Sequence, residues 1–342
     1  MTIYILGGSS TVMSGGWADS FATQMVRGQA VRNLAIGAGN TLMSLVRLTE
    51  EVTLAPGDTV VWASAIRDVM CLSKGGYRDG GLLRYTEELI RHVGASGARF
   101  VPLLMDSIAR DLDVRQAPYK AALLDLLHHY GLDWVDVTAE FTRETGMMRV
   151  PLSFFDSTGH IIAGSEMSLF IADLAAEAVR SGGGHVRDIA PLRVDPRRPV
   201  QVVTRFSPDT RSEAFSNRLL STTLWTPGIA LEPGARPEGD LELEALVVMA
   251  DPEGGALQVS TASAGFNLSA AAVVDYYSGP FLLSAYVPNL VGAPMRVAAA
   301  ETLRVDWDAT GHDLRSDLLF DPAPQPGPSR ARLAAMVFRQ AA

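Results

Sequence analysis

The sequence predicts two architectures in series: an α/β domain built on a five-stranded parallel sheet, then an antiparallel, sandwich-like β domain. Three observations carry that expectation. Up to Arg180, short apolar runs alternate with stretches of helical spacing. A cluster of glycines then stops the alternation, and beyond it only short strand-like runs remain, separated by Gly, Pro, Asp and Asn. Strands alternating with helices imply a parallel sheet covered on both faces. Many short strands between turn residues imply an antiparallel sandwich.

In chain order, the apolar and partly β-branched runs of the first part are residues 3–6, 31–36, 59–63, 99–104 and 134–137. The helical stretches are 17–26, 42–49, 82–93, 118–129 and 166–180. The last of these places Met167, Phe170, Ile171, Leu174 and Ala178 on one face, a stripe that a helix buries against a sheet. Ser181-Gly182-Gly183-Gly184 ends it, since glycine readily takes the conformation needed past a helix terminus. A connector rich in Pro and Arg follows, "PLRVDPRRPV" at 191–200. The later strand-like runs are 200–206, 241–249, 257–261, 271–276, 281–287, 295–300 and 303–307. Residues 321–330 read as a loop, and 331–340 as a last strand or a short helix. The expected domains are therefore 1–184, a linker at 185–198, and a β-rich domain at 199–342 for which glycan binding is a candidate role.

The composition bounds the function. With 342 residues, 47% hydrophobic and 20% charged, the chain is globular rather than disordered or fibrous. A formal net charge of −9 argues against nucleic acid or an anionic membrane as the main partner. The single cysteine, Cys71, excludes an intrachain disulfide and a cysteine-built metal site. Met1 and Thr2 lead directly into a strand-like run, and no apolar run approaches the roughly 20 residues that span a bilayer. A cytoplasmic protein is expected.

The chemistry begins in "IYILGGSSTVMSGGW", residues 3–17, where a first strand runs into Gly7-Gly8-Ser9-Ser10. A phosphate loop is one reading, but the third glycine of a dinucleotide fingerprint and the lysine of a P-loop are both missing. The other reading is a turn that presents a serine, which needs a base and a carboxylate to orient that base. His92, His128 and His129 belong to amphipathic helices, His185 to the connector and His312 to a polar loop. His160 differs. It stands in "SFFDSTGHIIAGSEM" between the fifth strand and the last helix, with Asp156 four residues before it. Loops at the carboxyl ends of parallel strands are where open α/β sheets place their sites, and Ser9 is expected on that same edge.

These blocks resemble the SGNH (GDSL-type) hydrolases over residues 1 to 182. The resemblance implies a flavodoxin-like, three-layer α/β/α domain, with Ser9 as nucleophile and Asp156 and His160 as its partners. It aligns Gly7-Gly8-Ser9 with the family's Gly-Asp-Ser block, with Gly8 at the usual aspartate and expected at the oxyanion or substrate. "NLAIGAGNT" (33–41) matches the second block, which makes Gly37 the expected oxyanion donor, with Gly39 the alternative register. Two departures stand out. Three residues separate Asp156 from His160 where the family has two, and Arg67 replaces the asparagine of the third block in "WASAIRDVM". Arg67 is read either as a guanidinium donor to the oxyanion or as a salt-bridging replacement, for instance to Asp68.

The resemblance implies a serine esterase acting on small acyl (acetyl) esters, on carbohydrate by fold-level analogy, with no cofactor or metal. An acetyltransferase using the same residues, and a glycan-binding or assembly protein with a decayed site, are the alternatives. Ser10 is the alternative nucleophile. Trp225, Tyr276, Tyr277 and Trp307 read either as strand core or as a sugar-stacking platform. Asp306, Asp308, Asp313 and Asp317 read as a solvated loop or a calcium site.

Overall fold

The computed structural model describes residues 1–25, 29–74, 80–105, 113–206, 210–250, 252, 254–272, 279–307, 314–315 and 331–342. They form two units, one of Met1–Ser73 with Gly80–Val194 and one whose main part is Asp195–Ala342. In the first, the elements in chain order are β1 (Thr2–Gly7), α1 (Ser9–Val12), α2 (Trp17–Met25), β2 (Ala30–Asn33), α3 (Thr41–Glu51), β3 (Thr59–Ala63), α4 (Ala65–Lys74), α5 (Gly81–Ala95), β4 (Arg99–Leu104), α6 (Asp113–His129), β5 (Val135–Asp136), α7 (Val137–Thr145) and α8 (Glu166–Arg180). The strands pair in parallel in the order β2-β1-β3-β4-β5.

β3 and β4 are buried along their whole length, and β1 along all but its first residue, which is why they read as continuous apolar runs. Ile3, Ile5, Val61, Ala63, Val101 and Leu103 point into a core shared with Trp17 and Phe21 of α2, Phe141 of α7, and Met167 and Ile171 of α8. On the opposite face Trp62 packs against Phe100 and donates from Nε1 to Thr41 Oγ1 on α3. Helices thus cover both faces, giving the expected three layers. The order changes direction between β1 and β3, with Gly7 paired to Ala63 at their carboxyl ends. At such a switch point the two following loops diverge and leave a crevice.

Three helices lie outside the sequence expectation. α1 is only four residues long, α4 follows β3 directly, and α7 lies between β5 and the Asp156–His160 stretch. That stretch therefore follows a helix rather than the fifth strand. β2 ends at Asn33, short of the expected residue 36, yet Leu34 and Ile36 still donate their N–H groups to Ile5 and Gly7 carbonyls.

Part of the expected linker is held on the first unit. Gly184 O accepts from Phe100 N at 2.7 Å, and a Cβ on Gly184 would lie 2.6 Å from Phe100 O. Farther along, the fully buried Glu87 carboxylate accepts from Leu192 N, Arg193 N and Tyr130 Oη, each within 2.7 Å. A buried carboxylate is tolerated when its lone pairs are met in this way.

Among the described residues the second unit is an antiparallel sandwich apart from one parallel pair, Gly265–Ser269 with Leu314–Arg315. One sheet of seven strands centres on Leu241–Ala250 and Arg332–Gln340, so 331–340 resolves as a strand. The other has five, among them Ala256–Ser260 and Leu303–Trp307. Leu243, Leu246, Val259, Leu268, Val305, Met336 and Phe338 from the two sheets share one core. Strands Ser212–Ser216, Ser221–Trp225, Ile229–Leu231 and Gly265–Ser269 were not expected; they are short, and several are polar. Trp225 and Trp307 pack against the core, and Trp225 meets Phe206 edge to face while donating to Thr204 O. The described half of the aromatic set is thus half-buried against the core. Tyr276, Tyr277, His312, Asp308, Asp313, Asp317 and the 321–330 loop lie outside the described residues.

Candidate active site

Ser9 is the first residue of α1, immediately past the end of β1. The bend is tight enough to require glycine at Gly7, where a Cβ would lie 2.3 Å from Thr11 Oγ1. At Gly8 a Cβ would stand 3.2 Å from Gly39 O and 3.5 Å from Arg67 Cβ. A glycine at this position therefore lets the turn sit close against the Gly39 carbonyl, with Arg67 beside it. Asn33 fastens the turn by donating from Nδ2 to Thr11 O, while its Oδ1 accepts from Ala35 N.

His160 arrives from a short hairpin. Phe155 pairs with Ile161, Asp156 N donates to His160 O at 2.8 Å, and Gly159 takes the left-handed φ of +82° that closes the tip. Phe154 anchors the hairpin base edge to face on Phe141 of α7. The result is that His160 Nε2 lies 2.7 Å from Ser9 Oγ, across 151 residues of sequence. The imidazole meets Ser9, not Ser10.

Asp156 lies beside His160 but acts on the ring through an intermediary. Its Oδ1 accepts from the His160 main-chain N (3.0 Å), from Thr158 N (2.8 Å) and from Thr158 Oγ1 (2.6 Å). The contact to the ring comes from Thr158 Oγ1, 2.5 Å from His160 Nδ1. Asp156 thus stands beside His160 as expected, holding its main chain, while the threonine between them in sequence meets both the carboxylate and the ring. Burial raises the Asp156 pKa, but the bonds from Thr158 and the main chain outweigh it and leave the carboxylate below its ordinary 3.8. Burial also depresses the His160 pKa below 6.5, opposed by the Asp156 charge and reinforced by that of Arg67. At neutral pH the ring is therefore unprotonated and able to accept a proton.

The second loop approaches from β2. Gly39 uses its N–H on Ile36 O, which leaves Gly37 as the donor candidate of the two, and no heavy atom lies within 4 Å of a Cβ built on Gly37. Between them Ala38 has φ +61°, the one non-glycine residue with positive φ among the described residues. Arg67, buried to 5% exposure, donates from Nε to Ala38 O at 3.1 Å and so ties this loop to α4. Its neighbour Asp68 is engaged elsewhere: it accepts from Thr41 N, Thr41 Oγ1 and Tyr119 Oη, pinning the start of α3 just beyond the Gly37 loop. Sequence reasoning missed this anchor, as it missed Thr158. The only trace of Thr158 in the sequence was the unusual spacing of Asp156 and His160.

Burial raises the Asp68 pKa from 3.8 to about 7, against the lowering effect of Thr41, Tyr119 and Arg67. Between pH 4 and 7 the folded chain then holds a proton that the unfolded chain has released, so stability falls as pH rises through that window. Asp68→Asn should remove this component. Chemical denaturation across pH 4 to 8 is expected to give a flatter profile for the variant, with stability at pH 8 equal to or above that of the parent. A variant markedly less stable at pH 8 would mean that the ionised carboxylate is favourable in place.

Among the described residues no group of three or more His, Cys, Asp or Glu side chains could hold a metal ion, and no helix is long and apolar enough to cross a membrane.

No protein-family model and no curated protein matches this chain. Solved structures do. A two-domain esterase (CEX) active on acetylated mannans, crystallised with mannopentaose, aligns over 100% of this chain and 91% of its own, with a TM-score of 0.57 and 12% identity. A second crystal structure of a two-domain esterase (CEX) active on acetylated mannans has a TM-score of 0.57 and 11% identity, covering 100% of this chain and 92% of its own. An acetyl xylan esterase, AlAXEase, covers 52% of this chain and 100% of its own at 0.45 and 16%. The chain has the two-domain fold of the mannan-active esterase, an α/β domain on a five-stranded parallel sheet followed by an antiparallel β domain.

Proposed function

We propose that this protein is a serine esterase that removes small acyl groups, acetyl above all, from carbohydrate. The observation that carries the proposal is the 2.7 Å contact between Ser9 Oγ and His160 Nε2 at the switch point of the sheet. In this mechanism His160 takes the Ser9 proton as Oγ attacks the ester carbonyl. The N–H groups of Ser9 and Gly37 hold the tetrahedral oxyanion, assisted by Arg67. His160 then returns the proton to the departing sugar oxygen, and a water activated by the same ring releases the acid. Asp156 fixes the hairpin that carries His160.

The mannan-active esterase of the same two-domain fold supports an acetylated polysaccharide as the substrate class. The test is acetate release from a chemically acetylated mannooligosaccharide and from an aryl acetate, with the parent and with Ser9→Ala. Ser9-dependent release from both is expected. Release from the aryl ester alone would remove carbohydrate from the proposal. Transfer of acetyl to an added oligosaccharide in preference to water would make the protein a transferase, and inactivity on every ester would favour a decayed site.

A further inference from the structure

We propose that Thr158 is a positioning residue that joins Asp156 to His160, so that the working unit is a chain of four side chains, Asp156–Thr158–His160–Ser9. The proposal rests on the reading of Ser9 and His160 as nucleophile and base. Its ground is proton accounting across two short contacts. Thr158 Oγ1 lies 2.6 Å from Asp156 Oδ1 and 2.5 Å from His160 Nδ1, and a hydroxyl has one proton to give.

An ionised carboxylate only accepts. The Thr158–Asp156 contact therefore consumes the hydroxyl proton, because two oxygens this close with no proton between them repel. Thr158 Oγ1 is left with lone pairs alone for the imidazole, so Nδ1 must carry the hydrogen and donate it. In a neutral ring that puts the free lone pair on Nε2, the atom 2.7 Å from Ser9 Oγ. The chain then reads in one direction: Ser9 O–H to Nε2, Nδ1–H to Thr158 Oγ1, Thr158 O–H to Asp156 Oδ1. Every proton is placed once. The reverse arrangement, with Thr158 donating to Nδ1, would put the ring hydrogen on Nε2 and prevent it from acting as a base.

Asp156 is itself fixed by the main-chain N–H groups of Thr158 and His160, so the threonine hydroxyl meets an acceptor that does not wander. When His160 becomes an imidazolium, the aligned Thr158 dipole and the carboxylate behind it stabilise the charge. Among the described residues, Asp156 raises and Arg67 lowers the proton affinity of this ring.

Thr158→Val keeps the shape and removes the hydroxyl, while Thr158→Ser keeps the hydroxyl and removes the methyl. On an aryl acetate, Thr158→Val should lose about a hundredfold or more in kcat with little change in KM, since it removes the group that sets the tautomer. The acid limb of its pH profile should move to lower pH, because the imidazolium loses an acceptor. Thr158→Ser should restore most of the activity. A downfield proton resonance from His160 Nδ1–H, assigned by its loss in His160→Gln, should be present in the parent and in Thr158→Ser and absent in Thr158→Val. Full activity and an intact resonance in Thr158→Val would overturn the proposal. Equal losses in the folded Val and Ser variants would also overturn it, because the methyl and not the hydroxyl would then matter. If Ser9→Ala is inactive while Thr158→Val is unimpaired, only the Thr158 inference fails. If Ser9→Ala retains activity, the reading of Ser9 fails and the inference falls with it.

Discussion

Ser9→Ala is expected to lower ester hydrolysis by on the order of 10⁴-fold or more while leaving the fold unchanged. The size of the effect follows from the role: without Oγ there is no nucleophile to activate, and the oxyanion donors alone retain only a residual rate. The fold should survive because alanine suits the first turn of a helix. The substitution removes one hydroxyl from a half-buried site where it meets His160. His160→Ala should cost a similar factor, and the double variant little more than either single one, because nucleophile and base act as a unit. Kinetics on an aryl acetate, with thermal unfolding of each variant as a control, reads all three. Additive losses would mean that the two side chains work independently, which the 2.7 Å contact argues against.

Arg67 has the next largest expected effect. Arg67→Ala should lower kcat by on the order of 10²–10³ with little change in KM, as expected for a donor that acts only in the transition state. The structure adds two consequences. Arg67 helps depress the His160 pKa, so its loss should raise that pKa and move the acid limb of kcat/KM to higher pH. It also ties Ala38, held at φ +61°, to α4, so its loss slackens the loop that carries Gly37. Arg67→Lys separates the effects: the acid limb should stay in place because the charge remains, while kcat recovers only in part because the planar fork is gone. Arg67→Asn restores the residue usual in the family this sequence resembles and should regain part of the loss. If the Ala and Asn variants are both more active than the parent, Arg67 obstructs the site. If neither differs from it, Arg67 plays no part in the chemistry.

Much of this was legible in the residues. The parallel sheet was visible because β1, β3 and β4 are buried on both sides and carry unbroken apolar runs. Ser9 and His160 could be brought together in advance because both were assigned to loops on one edge of that sheet. What escaped has a physical reason in each case. α1 has too few residues to show a period, and α7 starts at Val137, directly after β5 ends at Asp136, so no turn residue marks its beginning. The polar edge strands of the sandwich, such as Ser212–Ser216, bury too little to leave an apolar signature. The expected linker at 185–198 carries arginines and prolines and no apolar period that would suggest packing. Its attachment is made by main-chain N–H groups on the Glu87 carboxylate, which no side-chain pattern announces. Thr158 escaped for a related reason. In Asp-Ser-Thr-Gly a threonine is ordinary turn chemistry, and only the fold of the hairpin turns its hydroxyl between a carboxylate and a ring.

The most direct measurement is covalent labelling with a fluorophosphonate, which reacts with a serine only when a neighbouring base activates it, followed by peptide mapping of the modified residue. Stoichiometric labelling of the parent at Ser9, abolished in Ser9→Ala and strongly slowed in His160→Ala, is the expected result. Labelling at Ser10, or an intact folded protein that takes up no label at all, would contradict the assignment of Ser9 as an activated nucleophile.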